Sequence, residues 1–211
     1  CFADRVKYWL TFNEQNIFHM PEAFRISGYM KGEQTLRELY ELQHHAMVAH
    51  MTLTEYLHQT KPGKLMGGML AHQLIYPATC KPRDIFCAQQ YDEFLNQNLL
   101  RVFAGQGYSP AVMAVVEQEG FGDIYRADDL ALFARTKNDF MAFSYYASKT
   151  LDSDAIPEGT PVNHYLLHGE KNNPYLKATE WNWQIDPLGF RTIITRYAND
   201  WRMPVFPIEN G

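Results

Sequence analysis

Two glutamates carry the chemistry this sequence has to offer. An alternating apolar run from Val6 to Phe12 ends abruptly in Asn13 and Glu14, and a second run from Met203 to Ile208 ends in Glu209, Asn210 and Gly211. Each run has the look of a strand that delivers polar side chains to a cleft at its C-terminal end. Two carboxyls so delivered suit glycoside hydrolysis, in which a carboxylic acid protonates the departing oxygen while a carboxylate attacks the sugar or activates water. Taken singly, neither signal says much. Asn-Glu is an ordinary pair at a strand end, and Asn-Gly is a common turn.

The elements between them must bring the two together. Val6 to Asn13 reads as a strand, followed by a polar loop through Gly28 and Gly32. From Glu33 to Gln59, Leu36, Tyr40, Met47, Met51 and Leu57 recur near helical spacing until Pro62-Gly63 stops the pattern. Lys64 to Leu74 is the next apolar run, and its Gly67-Gly68 implies close backbone approach. Helices are predicted from Pro82 to about Phe103, from Ser109-Pro110 to Gly120, and over Asp128 to Ala134. Asp139 to Tyr146 reads as the third strand. A long excursion from Ala147 to Gln184 follows, then a helix from Asp186-Pro187 to about Trp201 and the last strand.

Apolar strands alternating with helices predict a parallel sheet. Polar residues sit at three strand ends: Asn13 and Glu14, Tyr145 and Tyr146, Glu209 and Asn210. An open doubly wound sheet gathers ligands at one switch point, whereas every strand of a (β/α)₈ TIM barrel ends at the same mouth. The barrel suits this distribution, as a single domain over residues 1–211. Four strands are half of such a barrel. The expectation is therefore a partial chain, covering about the middle of a larger barrel, that lacks independent activity and is poorly soluble.

Composition narrows the remaining classes. Aromatics make up 14% of the chain, which suits sugar-stacking surfaces, although aromatics also fill cores. A net charge of −5 without a basic patch argues against nucleic acid, and no apolar stretch reaches a membrane span. The cysteines Cys1, Cys80 and Cys87 lack metal-ligand spacing and read as free thiols, which points to the cytoplasm. His44, His45 and His50 lack the i, i+4 spacing of a helical metal site and read as helix-packing residues. Asp128-Asp129 reads as a helix-start pair. Trp181 and Trp183 either line a leaving-group site or tuck against the barrel. Neither a metal nor a cofactor is expected, and the oligomeric state stays open.

Thr11-Phe12-Asn13-Glu14 and Ile208-Glu209-Asn210-Gly211 resemble the two signature motifs of glycoside hydrolase family 1, the β-glucosidase and 6-phospho-β-glucosidase family. Phe143-Ser144-Tyr145-Tyr146 is similar to its third strand-end motif, usually Asn-Tyr-Tyr. The match runs over essentially the whole chain, from about barrel strand four to strand seven. The resemblance implies Glu14 as general acid/base, Glu209 as the nucleophile of a retaining mechanism, Asn13 on the sugar 2-hydroxyl and Tyr146 on the nucleophile carboxylate. Ser144 departs from the usual Asn.

Gln15 stands where plain β-glucosidases commonly have Pro. His44 to His50, Tyr76 to Pro82 and Glu180 to Pro187 all resemble the bacterial 6-phospho-β-glucosidase branch. That branch implies a cytoplasmic enzyme whose partner is a small 6-phosphorylated β-glucoside, with a phosphate pocket after strand eight, outside this chain. The rivals are an unphosphorylated β-glucosidase or β-galactosidase of the same family, and a non-catalytic sugar-binding protein that keeps the fold.

Overall fold

The computed structural model describes residues 2, 4–20 and 34–211. The predicted loop glycines Gly28 and Gly32, the predicted helix start Glu33 and the thiol of Cys1 lie outside the described residues. Among the described residues the strands are, in chain order, β1 (Tyr8–Leu10), β2 (Leu65–Ala71), β3 (Ile75–Pro77), β4 (Phe140–Tyr145), β5 (Lys149–Leu151), β6 (Glu170–Lys171) and β7 (Val205–Asn210). The α-helices are α1 (Leu36–Thr60), α2 (Pro82–Asp92), α3 (Asn98–Phe103), α4 (Pro110–Gln118), α5 (Ala127–Arg135), α6 (Tyr165–Gly169) and α7 (Pro187–Arg196).

The main sheet has the order β1-β2-β4-β7, and every pairing in it is parallel. Each strand lies beside the one that precedes it in this sheet, so the order never reverses and there is no switch point. That is how a (β/α)₈ barrel is wound, and a doubly wound sheet is not.

The inner strands β2 and β4 are buried almost throughout, because both of their faces are covered. One face meets the helices. Met47 and Met51 of α1, Phe103 of α3 and Phe133 of α5 pack there with Leu70, Met141 and Phe143. The other face carries a smaller cluster of Met69, Phe140 and Ala142, with Leu65 and Ile208 against it. The two glycines of β2 show why they are needed. A Cβ on Gly67 would lie 2.2 Å from the Phe140 ring on one face, and one on Gly68 would lie 2.4 Å from the Phe103 ring on the other.

Local signals explain the helix boundaries. Thr35 and Glu38 form a reciprocal capping box at the start of α1, and Gly63 at φ +82° turns the chain after it. Asp186 accepts from the Gly189 N–H and Pro187 occupies the first position of α7. Ser109 stands before Pro110 as expected but makes no side-chain cap; its own N–H goes to Asn98 Oδ1 at 2.8 Å. The predicted helix from Pro82 to Phe103 is α2 and α3 joined by a π-helical turn over Glu93–Gln97.

Two expectations need correction. The first strand ends at Leu10, so Asn13 and Glu14 lie beyond the sheet on a separate turn. The excursion from Ala147 to Gln184 is not structureless. It contains β5, β6 and α6, and it builds a second sheet in the order β3-β5-β6, parallel then antiparallel. Asp84 of α2 pins this layer, accepting from the Ser153 N–H at 3.0 Å and from Thr79 Oγ1 at 2.6 Å. Among the described residues no helix is long and apolar enough to cross a membrane.

Candidate active site

Glu14 is held by a backbone that could not easily go elsewhere. After β1 the chain enters a 3₁₀ turn over Gln15–Ile17, and Glu14 caps it at φ 46°, ψ 53°, a left-handed conformation unusual for a non-glycine residue. Four hydrogen bonds fix this turn, three to β2 and one to α1. The Glu14 N–H reaches Met69 Sδ at 3.0 Å. The Asn16 side chain makes a two-way clamp on Ala71, donating to its carbonyl and accepting from its N–H, both at 2.8 Å. The Gln43 amide, from α1, reaches the Asn16 carbonyl.

The strand β4 supplies the next layer. Ala142 faces the small inner cluster while Met141, Phe143 and Tyr145 face the helices, so Ser144 falls on the Ala142 side by strand alternation. Its hydroxyl donates to Glu14 Oε1 at 2.5 Å.

Glu209 reaches the same side through an irregularity. Ile208 packs on the inner cluster, and strict alternation would turn the following residue away. Between Phe143 and Ser144 the register of β4 against β7 shifts, so that Phe143 pairs with Pro207 but Ser144 pairs with Glu209. One extra residue in β7 re-aims the glutamate, as β-bulges beside active sites do. The Tyr146 hydroxyl then donates a very short hydrogen bond to Glu209 Oε2. That bond, with burial and the charges of Glu209 and Glu14, pushes the Tyr146 phenol up to about 12, so it remains a donor.

A cleft of about 290 Å³ opens here, with Glu14, Ser144, Tyr146, His72, Gln73 and Trp183 in its walls. Trp183 leans on Tyr146 with ring centroids 5.2 Å apart. A larger cleft of about 590 Å³ adjoins it and shares Ile17, Gln73 and Lys149. The structure thus brings Glu14, Tyr146, Glu209 and Trp183 together. Asn13 is exposed and Trp181 is 75% exposed; neither is in the walls of the 290 Å³ cleft, and Glu209 joins the site through Tyr146 rather than by lining that cleft. Asn16, Met69 and Gln73 were not singled out in the sequence. Only Asn16 had a local signal, an amide two positions after Glu14.

Of the α1 histidines expected to pack, His44 and His50 are buried in networks, whereas His45 is exposed. His50 Nδ1 pairs with Thr11 Oγ1 at 2.7 Å, His50 Nε2 lies at 3.1 Å from Asn138 Oδ1, an acceptor, and His44 contacts Tyr108 and Asp129. No group of three His, Cys, Asp or Glu that could hold a metal occurs among the described residues.

The family model described as "Glycosyl hydrolase family 1" matches residues 1–211. The 6-phospho-beta-glucosidase AscB of Escherichia coli (strain K12) is 34% identical over 212 residues, which is 100% of this chain and 44% of that protein. The aryl-phospho-beta-D-glucosidase BglH of Bacillus subtilis (strain 168) and the phospho-cellobiase of Klebsiella oxytoca are also 34% identical, each over 100% of this chain and 44% of the relative. The chain therefore spans less than half the length of these curated relatives. Among solved structures, the psychrophilic beta-glucosidase BglU from Micrococcus antarcticus superposes with a TM-score of 0.81 at 22% identity, over 100% of this chain and 47% of that one. A beta-glucosidase from Exiguobacterium marinum gives 0.80 at 21% identity, with the same coverage. This likeness shows the fold: a (β/α)₈ barrel, of which this chain supplies roughly strands four to seven.

Proposed function

The chain belongs to glycosyl hydrolase family 1, and from that membership we propose that the protein is a retaining β-glycosidase acting on 6-phospho-β-glucosides. The observation that carries this reading is that Ser144 and Tyr146, two positions apart at the tip of β4, each hold one of two glutamates that are remote in sequence.

In the first step the Glu209 carboxylate attacks the anomeric carbon. The bond to the leaving group breaks, and Glu14 gives its proton to the departing oxygen, leaving a glycosyl ester on Glu209. In the second step water attacks that ester, passes a proton to Glu14 and frees Glu209. Tyr146 keeps the Glu209 carboxylate oriented and lends it a hydrogen bond as it leaves. Asn13 is assigned to the sugar 2-hydroxyl, and Trp181 and Trp183 to the substrate-binding surface.

The phosphorylated substrate class is supported by relatives at 34% identity that are named for phospho-β-glucosides. A reducing cytoplasm as the place of action belongs to the same reading, and Cys80 and Cys87 are free thiols.

Hydrolysis of a nitrophenyl β-glucoside with and without a 6-phosphate, by the full-length protein, tests the substrate class. Equal or better turnover of the neutral substrate ends the phosphate assignment. Glu14→Ala is expected to lower kcat/KM on substrates with poor leaving groups by about 10²–10⁴-fold, and Glu209→Ala to remove turnover. Parental activity in either variant ends the assignment of roles.

A further inference from the structure

We propose that Ser144 is a positioning residue for acid catalysis: it selects which oxygen of Glu14 carries the proton. The proposal rests on the assignment of Glu14 as the acid.

Ser144 is 1% exposed, and its hydroxyl hydrogen has two acceptors within reach. Glu14 Oε1 lies at 2.5 Å and the Leu70 carbonyl at 3.5 Å, so the hydrogen goes to the carboxyl. The backbone of Glu14 is already fixed by Met69 Sδ and by the Asn16 clamp on Ala71. What remains free in a glutamate so held is the outer end of the side chain, where rotation exchanges the two carboxyl oxygens. The Ser144 bond removes that freedom.

Its polarity matters as much as its presence. A serine hydroxyl donates one hydrogen. While that hydrogen points at Oε1, this oxygen is an acceptor, whether Glu14 is ionised or neutral. Were the acid proton on Oε1, that oxygen would have to donate to Ser144 Oγ and the serine hydrogen would be left with the distant Leu70 carbonyl at 3.5 Å, which is the weaker arrangement. The proton of the neutral acid therefore resides on Oε2, the oxygen not held by Ser144. After the proton has left, Ser144 still donates to the carboxylate, now as a charge-assisted bond. The same contact thus serves both halves of the cycle. The β4–β7 register shift pairs Ser144 with Glu209 across the two strands, so the residue that holds Glu14 also lies beside the second glutamate.

The test separates leaving groups by their need for a proton. In the full-length protein, Ser144→Ala is expected to lower kcat/KM for a 6-phospho-β-glucoside with an alkyl or sugar leaving group by about 10- to 100-fold. With a nitrophenyl leaving group, which departs without a proton, kcat/KM is expected to stay within about threefold. Ser144→Asn, which restores an N–H donor, should recover most of the loss. Ser144→Cys keeps the volume with a weak donor, and should show the same leaving-group dependence even if the alanine variant folds poorly. An equal loss on both substrates, or no loss on either, overturns the proposal. Should Glu14→Ala itself hydrolyse the poor leaving group at the parental rate, the acid assignment fails as well. If Glu14→Ala is inactive there and Ser144→Ala is not impaired, only the role of Ser144 fails.

Discussion

At the scale of single residues, Tyr146 is where the two carboxylates become one site. Its hydroxyl is bound to Glu209, and the charge of Glu14 is close enough to add to the rise in its phenol. A phenol held near 12 stays protonated throughout the working range, so its O–H remains available to donate to Glu209. Tyr146→Phe should lower kcat by about 10²-fold, by analogy with removal of one preorganised donor, while KM changes little. Steady-state kinetics on one substrate decides this; a kcat within a factor of two of the parent counts against the tyrosine. Glu14 stands out for a different reason. A left-handed backbone at a glutamate costs on the order of 1–3 kcal/mol, and the bonds from Asn16 and Met69 are what offset it. Nothing in the residue types around position 14 announced that conformation.

At the scale of elements, the tip of β2 is the anchor for the turn that carries Glu14. Asn16→Ala would leave the Ala71 N–H and carbonyl without their partners, both buried. A destabilisation of about 1–3 kcal/mol is expected, together with lower activity as the Glu14 turn loosens. Denaturant unfolding measures the first and kinetics the second; stability and activity both at the parental level would remove the anchoring role. The crowding around β2 was legible, because Gly67-Gly68 in an apolar run already implied close approach, and the Phe140 ring of β4 and the Phe103 ring of α3 supply it. The β7 register shift was not. Its sequence, Val205 to Asn210, carries the same alternation with or without an extra residue, and only the partner strand determines where the count slips.

For the whole molecule, three buried histidines set an acid limit. Burial holds His19 and His72 down to about 3 and His50 down to about 4, against an ordinary value near 6.5. Folded-state values that low mean the unfolded chain binds more protons below pH 6.5. Stability is then fully present above about pH 6.5 and is lost as the pH falls toward 4, by about 1.4 kcal/mol per pH unit for each histidine once the unfolded form is protonated. Melting temperatures of the full-length protein between pH 7 and 4.5 should fall steadily, and His50→Gln should flatten part of that slope. A melting temperature flat over this range contradicts the burial argument. The outer strands tell of the barrel in another way. Tyr8 of β1 and Phe206 of β7 are about half exposed, whereas β2 and β4 between them are buried almost throughout.

Residue type and order alone determined the strand–helix alternation, the parallel sheet, the barrel class and the two glutamates worth watching. These follow from local rules: apolar runs, prolines at helix starts and glycines at stops act over a few residues and leave marks in the sequence. The family motifs around Glu14, Tyr146 and Glu209 were readable for the same reason. The tertiary structure alone decided how the pair is held. That Ser144 donates to Glu14, that Asn16 clamps Ala71, that Glu209 is turned inward opposite Ser144, and that Trp183 rather than Trp181 walls the cleft all depend on which strands become neighbours and in what register. The contact of Ser144 with Glu14, 130 residues apart, has no local signature, and that of Tyr146 with Glu209, 63 apart, was implied by the family resemblance and by no local rule. They exist only once the sheet has closed the distance.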